Sequence, residues 1–297
     1  MMEGRQPPEI AHDPGDAPDN PFLKLRSRTL IWWMIVGSIV AFVVAALAGL
    51  ILPLDSMESA TGDVVVEVAI YGLVAAWIVW ACRNVDIDLA RLVGRVPAGY
   101  NWLPAVGLLV TTMTFSLGSL SVTFYGLSRV SPELLESLLT AGAPDLDSMI
   151  SLVWWVVGAV AVAPVLEEVL FRGVFLSRWG VKWGIGTAIV VSSAIFGILH
   201  VDAAGGMASG VVASLLYLQS RTLIVPIAFH AANNLVATAA MFMPASDEPW
   251  TFAAELAEIE AMALPGLAMV AVTLPVLIWY VRRHWPSRDA EIPYIKE

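Results

Sequence analysis

Charged side chains are scarce in this sequence. Asp, Glu, Lys and Arg make up 14% of its 297 residues and hydrophobic residues 58%, where a soluble domain carries roughly a quarter charged and roughly half apolar. That imbalance excludes an ordinary soluble domain and points to a chain embedded in lipid. Cysteine is almost missing. Cys82 stands alone, which excludes an internal disulfide and leaves no sign of an oxidising compartment. The N-terminus lacks the short basic start and apolar run of a secretory signal. Residues 1–21, MMEGRQPPEIAHDPGDAPDNP, hold too little apolar material to fold on their own. No internal repeat and no separate soluble domain is visible. The expected organisation is a disordered cytoplasmic tail over 1–28, one membrane-embedded domain over 29–284, and a second cytoplasmic tail over 285–297.

What the sequence has instead is long apolar runs. About 20 apolar residues, rising ~1.5 Å each, span the ~30 Å hydrocarbon core of a bilayer. Eight segments reach or approach that length: 29–52, 64–82, 102–124, 149–170, 184–201, 205–219, 222–243 and 262–281. The expected fold class is therefore all-α, a polytopic membrane protein of about eight transmembrane helices. Lys and Arg collect on the cytoplasmic side of membrane proteins. Here they stand before the first run (Lys24, Arg26, Arg28) and after the second (Arg83, Arg91, Arg95). They also follow the fourth (Arg172, Arg178, Lys182), the sixth (Arg221) and the eighth (Arg282, Arg283, Arg288). The alternate loops are acidic, with Arg129 the single exception. Both termini are expected in the cytoplasm.

Two connections are too polar to cross. SPELLESLL (131–139) offers Ser131 as an N-cap, Pro132 at the first helical position and Glu133 in the first turn. With its leucines on one face it reads as an interfacial helix; WTFAAELAEIEAMAL (250–264) reads as a second. Trp residues near run ends, such as Trp32, Trp102, Trp183 and Trp279, suit the headgroup region. The bilayer is the expected partner, and no nucleic acid is.

Three stretches break the apolar pattern inside the runs. APVLEEVLFRGVF (163–175) carries Glu167, Glu168 and Arg172; FGILH carries Phe196 and His200; HAANN carries His230 and Asn234. An ionisable side chain at the centre of a span costs about 2.5–3.5 kcal/mol on insertion scales, and a functional role is its default reading. Helical spacing sorts these residues. Glu168 and Arg172, four apart, share a face and can pair, whereas Glu167 is turned away from Glu168 by about 100°. One carboxylate is thus matched to Arg172 and the other is free for chemistry. Phe196 with His200, and His230 with Asn234, form two further stripes. The bland reading of each alone is a packing ion pair or a satisfied core histidine. Three stripes that hold nearly all the intramembrane ionisable groups make coincidence a weak explanation. His12 and His284 fall outside the runs.

Taken in order, these stripes resemble the three signature motifs of the CPBP family, the intramembrane CAAX proteases and bacteriocin-processing enzymes: EExxxR at Glu167–Glu168–Arg172, FxxxH at Phe196–His200 and HxxxN at His230–Asn234. The likeness covers about 149–243, and the eight-span layout is similar as well. It implies an endopeptidase acting on a membrane-associated CAAX-like substrate, prenylated or not. Glu167 and His200 would activate water, and His230 and Asn234 would form an oxyanion hole. Glu168, Arg172 and Phe196 would hold the site in shape.

A second chemistry is open to the same residues. Glu167, His200 and His230 are three N/O donors that suit a zinc ion with water in the fourth position; the metal-independent glutamate mechanism is the reading preferred. An H-E-x-x-H zinc site and a GxGD aspartyl motif are absent, and Ser209 in GMASG suits a serine protease only faintly. Outside proteolysis, intramembrane Glu, His and Arg also build proton relays, so a proton-coupled transporter and a non-catalytic membrane scaffold are the alternatives. Simple counting sets Glu167 in the inner part of its span and His200 near the outer end of its own. Joint action therefore requires tilted or offset helices, for which Pro164, Gly184, Gly186 and Gly197 give scope.

Overall fold

A computed structural model of the chain describes residues 20–49, 60–140, 149–242, 251–287 and 290–295. Every regular element among them is helical, because a lipid-facing segment can satisfy its backbone N–H and C=O groups within a helix without water. A short α1 (Pro21–Lys24) precedes α2 (Thr29–Gly49), α3 (Ala60–Arg83), α4 (Leu89–Val93), α5 (Leu103–Val130) and α6 (Pro132–Thr140). The chain then forms one continuous helix that changes pitch. It runs through α7 (Met149–Val157), a π turn (Gly158–Val162), α8 (Ala163–Glu168), a second π segment (Val169–Leu176) and α9 (Ser177–Trp183). It continues through α10 (Ile185–Ile198), α11 (Ala203–Ser220), α12 (Ile224–Met241) and α13 (Phe252–His284).

Among the described residues three helices are long and apolar enough to cross a membrane: Leu103–Val130, Leu152–Trp183 and Phe252–His284. Shorter apolar helices lie at Thr29–Val40, Ile185–Ile198 and Ile224–Ala240. The expected count of about eight crossings treats each apolar run as a full span, and three of the described helices have that length. The 14 residues of α10, at 1.5 Å each, cover only about 21 Å. Residues 252–264 of the stretch 250–264, expected as a separate interfacial helix, are instead the start of α13; Trp250 lies outside the described residues. Thr251 caps α13 by accepting from Ala254 N, and the helix continues through Pro265 and Pro275. The one basic residue of the acidic loops, Arg129, pairs with Glu260 of α13 at 2.9 Å.

Large apolar side chains stand exposed on the outer faces of these helices, among them Leu103, Leu264, Val272 and Trp279. That pattern suits lipid as the surrounding solvent. The core is built around the pitch-changing helix: Phe171, Val174, Phe175 and Leu176 pack with Trp77, Ile189, Leu215 and Tyr217.

Within residues 20–28, expected as part of the N-terminal tail, Asn20 caps α1 and Phe22 and Leu25 are buried. The far end of the chain also returns to the body. Tyr294 meets Phe22 edge to face, its hydroxyl accepts from Asp88 N at 3.1 Å, and Arg221 Nη2 donates to Pro293 O at 3.0 Å.

Two backbone features fix depth. Gly184, at φ 87° and ψ 149°, turns the chain back on itself between α9 and α10, in a region that disfavours side chains with a Cβ. Glu167 and His200 lie at near-equal remove on either side of this reversal, and so do Phe171 and Phe196, whose rings meet at 5.2 Å. The separation expected from counting is therefore absent: α10, of 14 residues, ends with His200 beside Glu167. At the other end of α10, a methyl on Gly197 would overlap the carbonyl of Ala203 and the amide of Met207. Only hydrogen at that position lets α11 start so close to where α10 stops.

Candidate active site

His200 stands just past the end of α10, where the last carbonyls of a helix have no partner within it. Its Nδ1 lies 2.6 Å from Phe196 O. A carbonyl only accepts, so Nδ1 carries the proton and Nε2 presents a lone pair. The short link to α11 is fixed by Asp202, the N-cap of that helix. Its carboxylate accepts from Gly205 N at 3.0 Å, from Ser119 Oγ at 2.9 Å and from Ser116 Oγ. The two serines belong to α5, so the segment bearing His200 is tied to a second helix.

His230 is placed by α12, whose start is anchored on the last carbonyl of α4. Leu223 N and Thr222 Oγ1 both donate to Val93 O, at 2.8 and 2.9 Å. The ring is almost sealed, at 9% exposure. Its Nδ1 lies 3.0 Å from Glu168 Oε1, the same oxygen that Arg172 Nη1 reaches at 2.8 Å. Glu168 and Arg172 are each only 1% exposed, and Arg172 Nη2 donates further to Gly210 O of α11 at 3.2 Å. Phe196 binds this group together. The Arg172 guanidinium lies 4.5 Å from its ring, His200 packs at 4.4 Å and His230 meets it edge-on at 5.6 Å.

Glu167 points to the opposite side of His230. Its Oε2 lies 3.9 Å from His200 Nε2 and 4.0 Å from His230 Nε2. That oxygen is buried and makes no hydrogen bond to any described residue. The structure thus brings Glu167, His200 and His230 from three separate helices to one point, beside the buried Glu168–Arg172 pair. Asn234, one turn beyond His230, directs its amide elsewhere: Nδ2 donates to Ala159 O at 2.8 Å.

The separations decide what the cluster can hold. A direct hydrogen bond needs about 2.7–3.2 Å, so Glu167 does not bond either ring. Ligands at ~2.0–2.1 Å from a tetrahedral zinc ion stand about 3.3 Å from one another, which is tighter than 3.9–4.0 Å. Among the described residues no group of three His, Cys, Asp or Glu side chains is arranged to hold a metal ion. One water, at ~2.8 Å from each of two partners and with a tetrahedral angle between them, bridges about 4.5 Å. The 3.9–4.0 Å gaps take a shared water with that angle closed to about 90°.

Glu67 of α3 is a further carboxylate beside this helix, outside the three motif stripes. A methyl on Gly158 would lie 2.9 Å from Glu67 Oε1, so this carboxylate rests against the π turn ahead of Glu167. A lone acid inside the apolar run 64–82 was the available signal.

Residues 149–236, which contain every one of the motif residues above, match the model of the type II CAAX prenyl endopeptidase Rce1-like family. No curated protein and no solved structure matches the chain.

Proposed function

We propose that this chain is an intramembrane endopeptidase that hydrolyses a peptide bond of a membrane-associated substrate, with Glu167 and His200 activating the water. The observation that carries the reading is the position of Glu167 Oε2, unbonded and one water's width from two imidazole Nε2 atoms. A water between Glu167 and His200 donates one proton to the carboxylate and one hydrogen bond to the Nε2 lone pair. Its own lone pair is then free to attack a carbonyl carbon.

The attack breaks the carbonyl π bond and places negative charge on the oxygen. Glu167 takes the proton that the water loses. His230 is the nearest donor for the oxyanion. Its Nδ1 is committed to Glu168 at 3.0 Å, so donation to the oxyanion comes from Nε2 and requires a proton there. Collapse of the intermediate expels the amine. The proton held by Glu167 passes by way of His200 Nε2 to the leaving nitrogen, giving one carboxylic acid and one amine for each water consumed. Exposure falls from 39% at His200 through 29% at Glu167 to 9% at His230, so water and substrate approach from the His200 side.

The family match supports a CAAX-type protease, and a peptide anchored close to its cleavage site by a lipid chain suits a site within the bilayer. The Lys/Arg asymmetry supports cytoplasmic termini. The test is purified protein in detergent incubated with prenylated and unprenylated C-terminal peptides, with products read by mass spectrometry. A cleaved peptide that keeps its prenyl group is the expected product. Intact peptides in both arms, from protein that elutes folded, would count against the reading.

A further inference from the structure

The helix that carries Glu167 changes pitch one turn ahead of it. Gly158–Val162 is a π turn, closed by Ala163 N–H donating to Gly158 O five residues back. The same register would send the next N–H, that of residue 164, to Ala159 O. Residue 164 is proline and has no N–H to give. Ala159 O is thereby left without the donor that register would supply. Asn234 Nδ2 donates to this oxygen at 2.8 Å.

The phase of the turn matters for the site. A π turn accommodates one extra residue, and one residue is worth about 100° of rotation along a helix. That is the angle separating Glu167 from Glu168. Ahead of the turn, α7 and Gly158 are held against α3, where Glu67 Oε1 would stand 2.9 Å from a methyl on Gly158. The pitch between Gly158 and α8 therefore decides which glutamate faces the two Nε2 atoms and which faces Arg172.

We infer that Asn234 is a positioning residue whose side-chain amide replaces the backbone N–H missing at Pro164, locking the π turn that aims Glu167 at His200 and His230. Its motif partner His230 touches both glutamates on one face of α12. One turn further, Asn234 fixes the rotation of the helix that bears them. The kinetic consequence rests on the endopeptidase reading, whereas the structural readouts below do not.

The test is a double-mutant cycle of Asn234→Ala and Pro164→Ala, read by melting temperature and by peptide cleavage. In the parent background Asn234→Ala orphans Ala159 O and lowers the Tm by about 3–6 °C, together with kcat. In the Pro164→Ala background the new N–H serves that carbonyl, so Asn234→Ala no longer lowers the Tm appreciably. An equal loss in both backgrounds would overturn the proposal and assign Asn234 a direct contact with substrate. Should Pro164→Ala not fold, 15N-asparagine labelling gives an independent answer. One side-chain amide proton of Asn234, identified by its disappearance in Asn234→Ala, is expected to exchange slowly and the other fast. Fast exchange of both protons would refute the bond to Ala159 whatever the substrate proves to be.

Discussion

Arg172 and His230 share one oxygen. Glu168 Oε1 accepts from Arg172 Nη1 at 2.8 Å and from His230 Nδ1 at 3.0 Å, so a fully buried ion pair doubles as the hydrogen-bond partner that sets the tautomer of a site histidine. A buried ion pair is in itself weak evidence for stability, but removing one member leaves an uncompensated charge.

The first prediction follows from that geometry. Glu168→Gln strips the counter-charge from Arg172 at 1% exposure and should cost up to ~3–5 kcal/mol, seen as a large fall in melting temperature. A Glu168→Gln variant as stable as the parent would show that Arg172 is compensated by other groups.

Phe196 is the shared wall of Arg172, His200 and His230. Phe196→Ala should destabilise by about 3–5 kcal/mol, the usual cost of emptying a buried aromatic position. Phe196→Leu keeps most of the volume but loses the flat face against His200. It should fold and show a reduced kcat. Unchanged kcat in folded Phe196→Leu would mean that Phe196 O and the Asp202 anchor suffice to hold His200.

Asp202 is expected to matter without touching the reacting atoms. Asp202→Ala removes the acceptor for Gly205 N, Ser119 Oγ and Ser116 Oγ. Loss of the N-cap alone costs ~1 kcal/mol, and the freed link should lower kcat more than it raises KM. A change confined to KM would place Asp202 at the substrate instead of behind His200.

Metal dependence has a direct assay. The 3.9–4.0 Å spread of the donors predicts that cleavage persists after dialysis against chelator in metal-free buffer. Loss of activity restored by zinc would show that Glu167, His200 and His230 close around an ion.

Orientation is tested by reporter fusions. Fusions after Arg95 and Arg283 should report cytoplasm and one after Glu133 the outside, following the Lys/Arg asymmetry. An outside signal after Arg283 would reverse the assigned topology.

Much of the site was legible in the sequence because helical spacing is local. The i,i+4 relation of Glu168 and Arg172 and the rotation of Glu167 away from them are read from 3.6 residues per turn, and the structure has both. The all-helical class followed from composition. Depth was not legible, since hydropathy marks an apolar run without saying whether it crosses. The short α10, reversed at Gly184, is what brings His200 level with Glu167. The π turns left no periodic trace, only a glycine and a proline six residues apart whose meaning depends on Asn234 across the bundle. Glu67 was visible but unmatched, because its neighbour Gly158 emerges only from the packing of α3.

The central claim is that Glu167 acts as the base, and Glu167→Gln tests it most directly. The substitution keeps the shape and removes the charge from an oxygen that is buried without a hydrogen bond, so the folded protein should melt at or above the parent temperature. Positioned general-base catalysis contributes about 10²–10⁴-fold. The account predicts that kcat for cleavage of a membrane-anchored peptide falls by at least that range in folded Glu167→Gln. Retention of kcat within about tenfold of the parent, a loss of only ~1.4 kcal/mol of transition-state stabilisation, would contradict it.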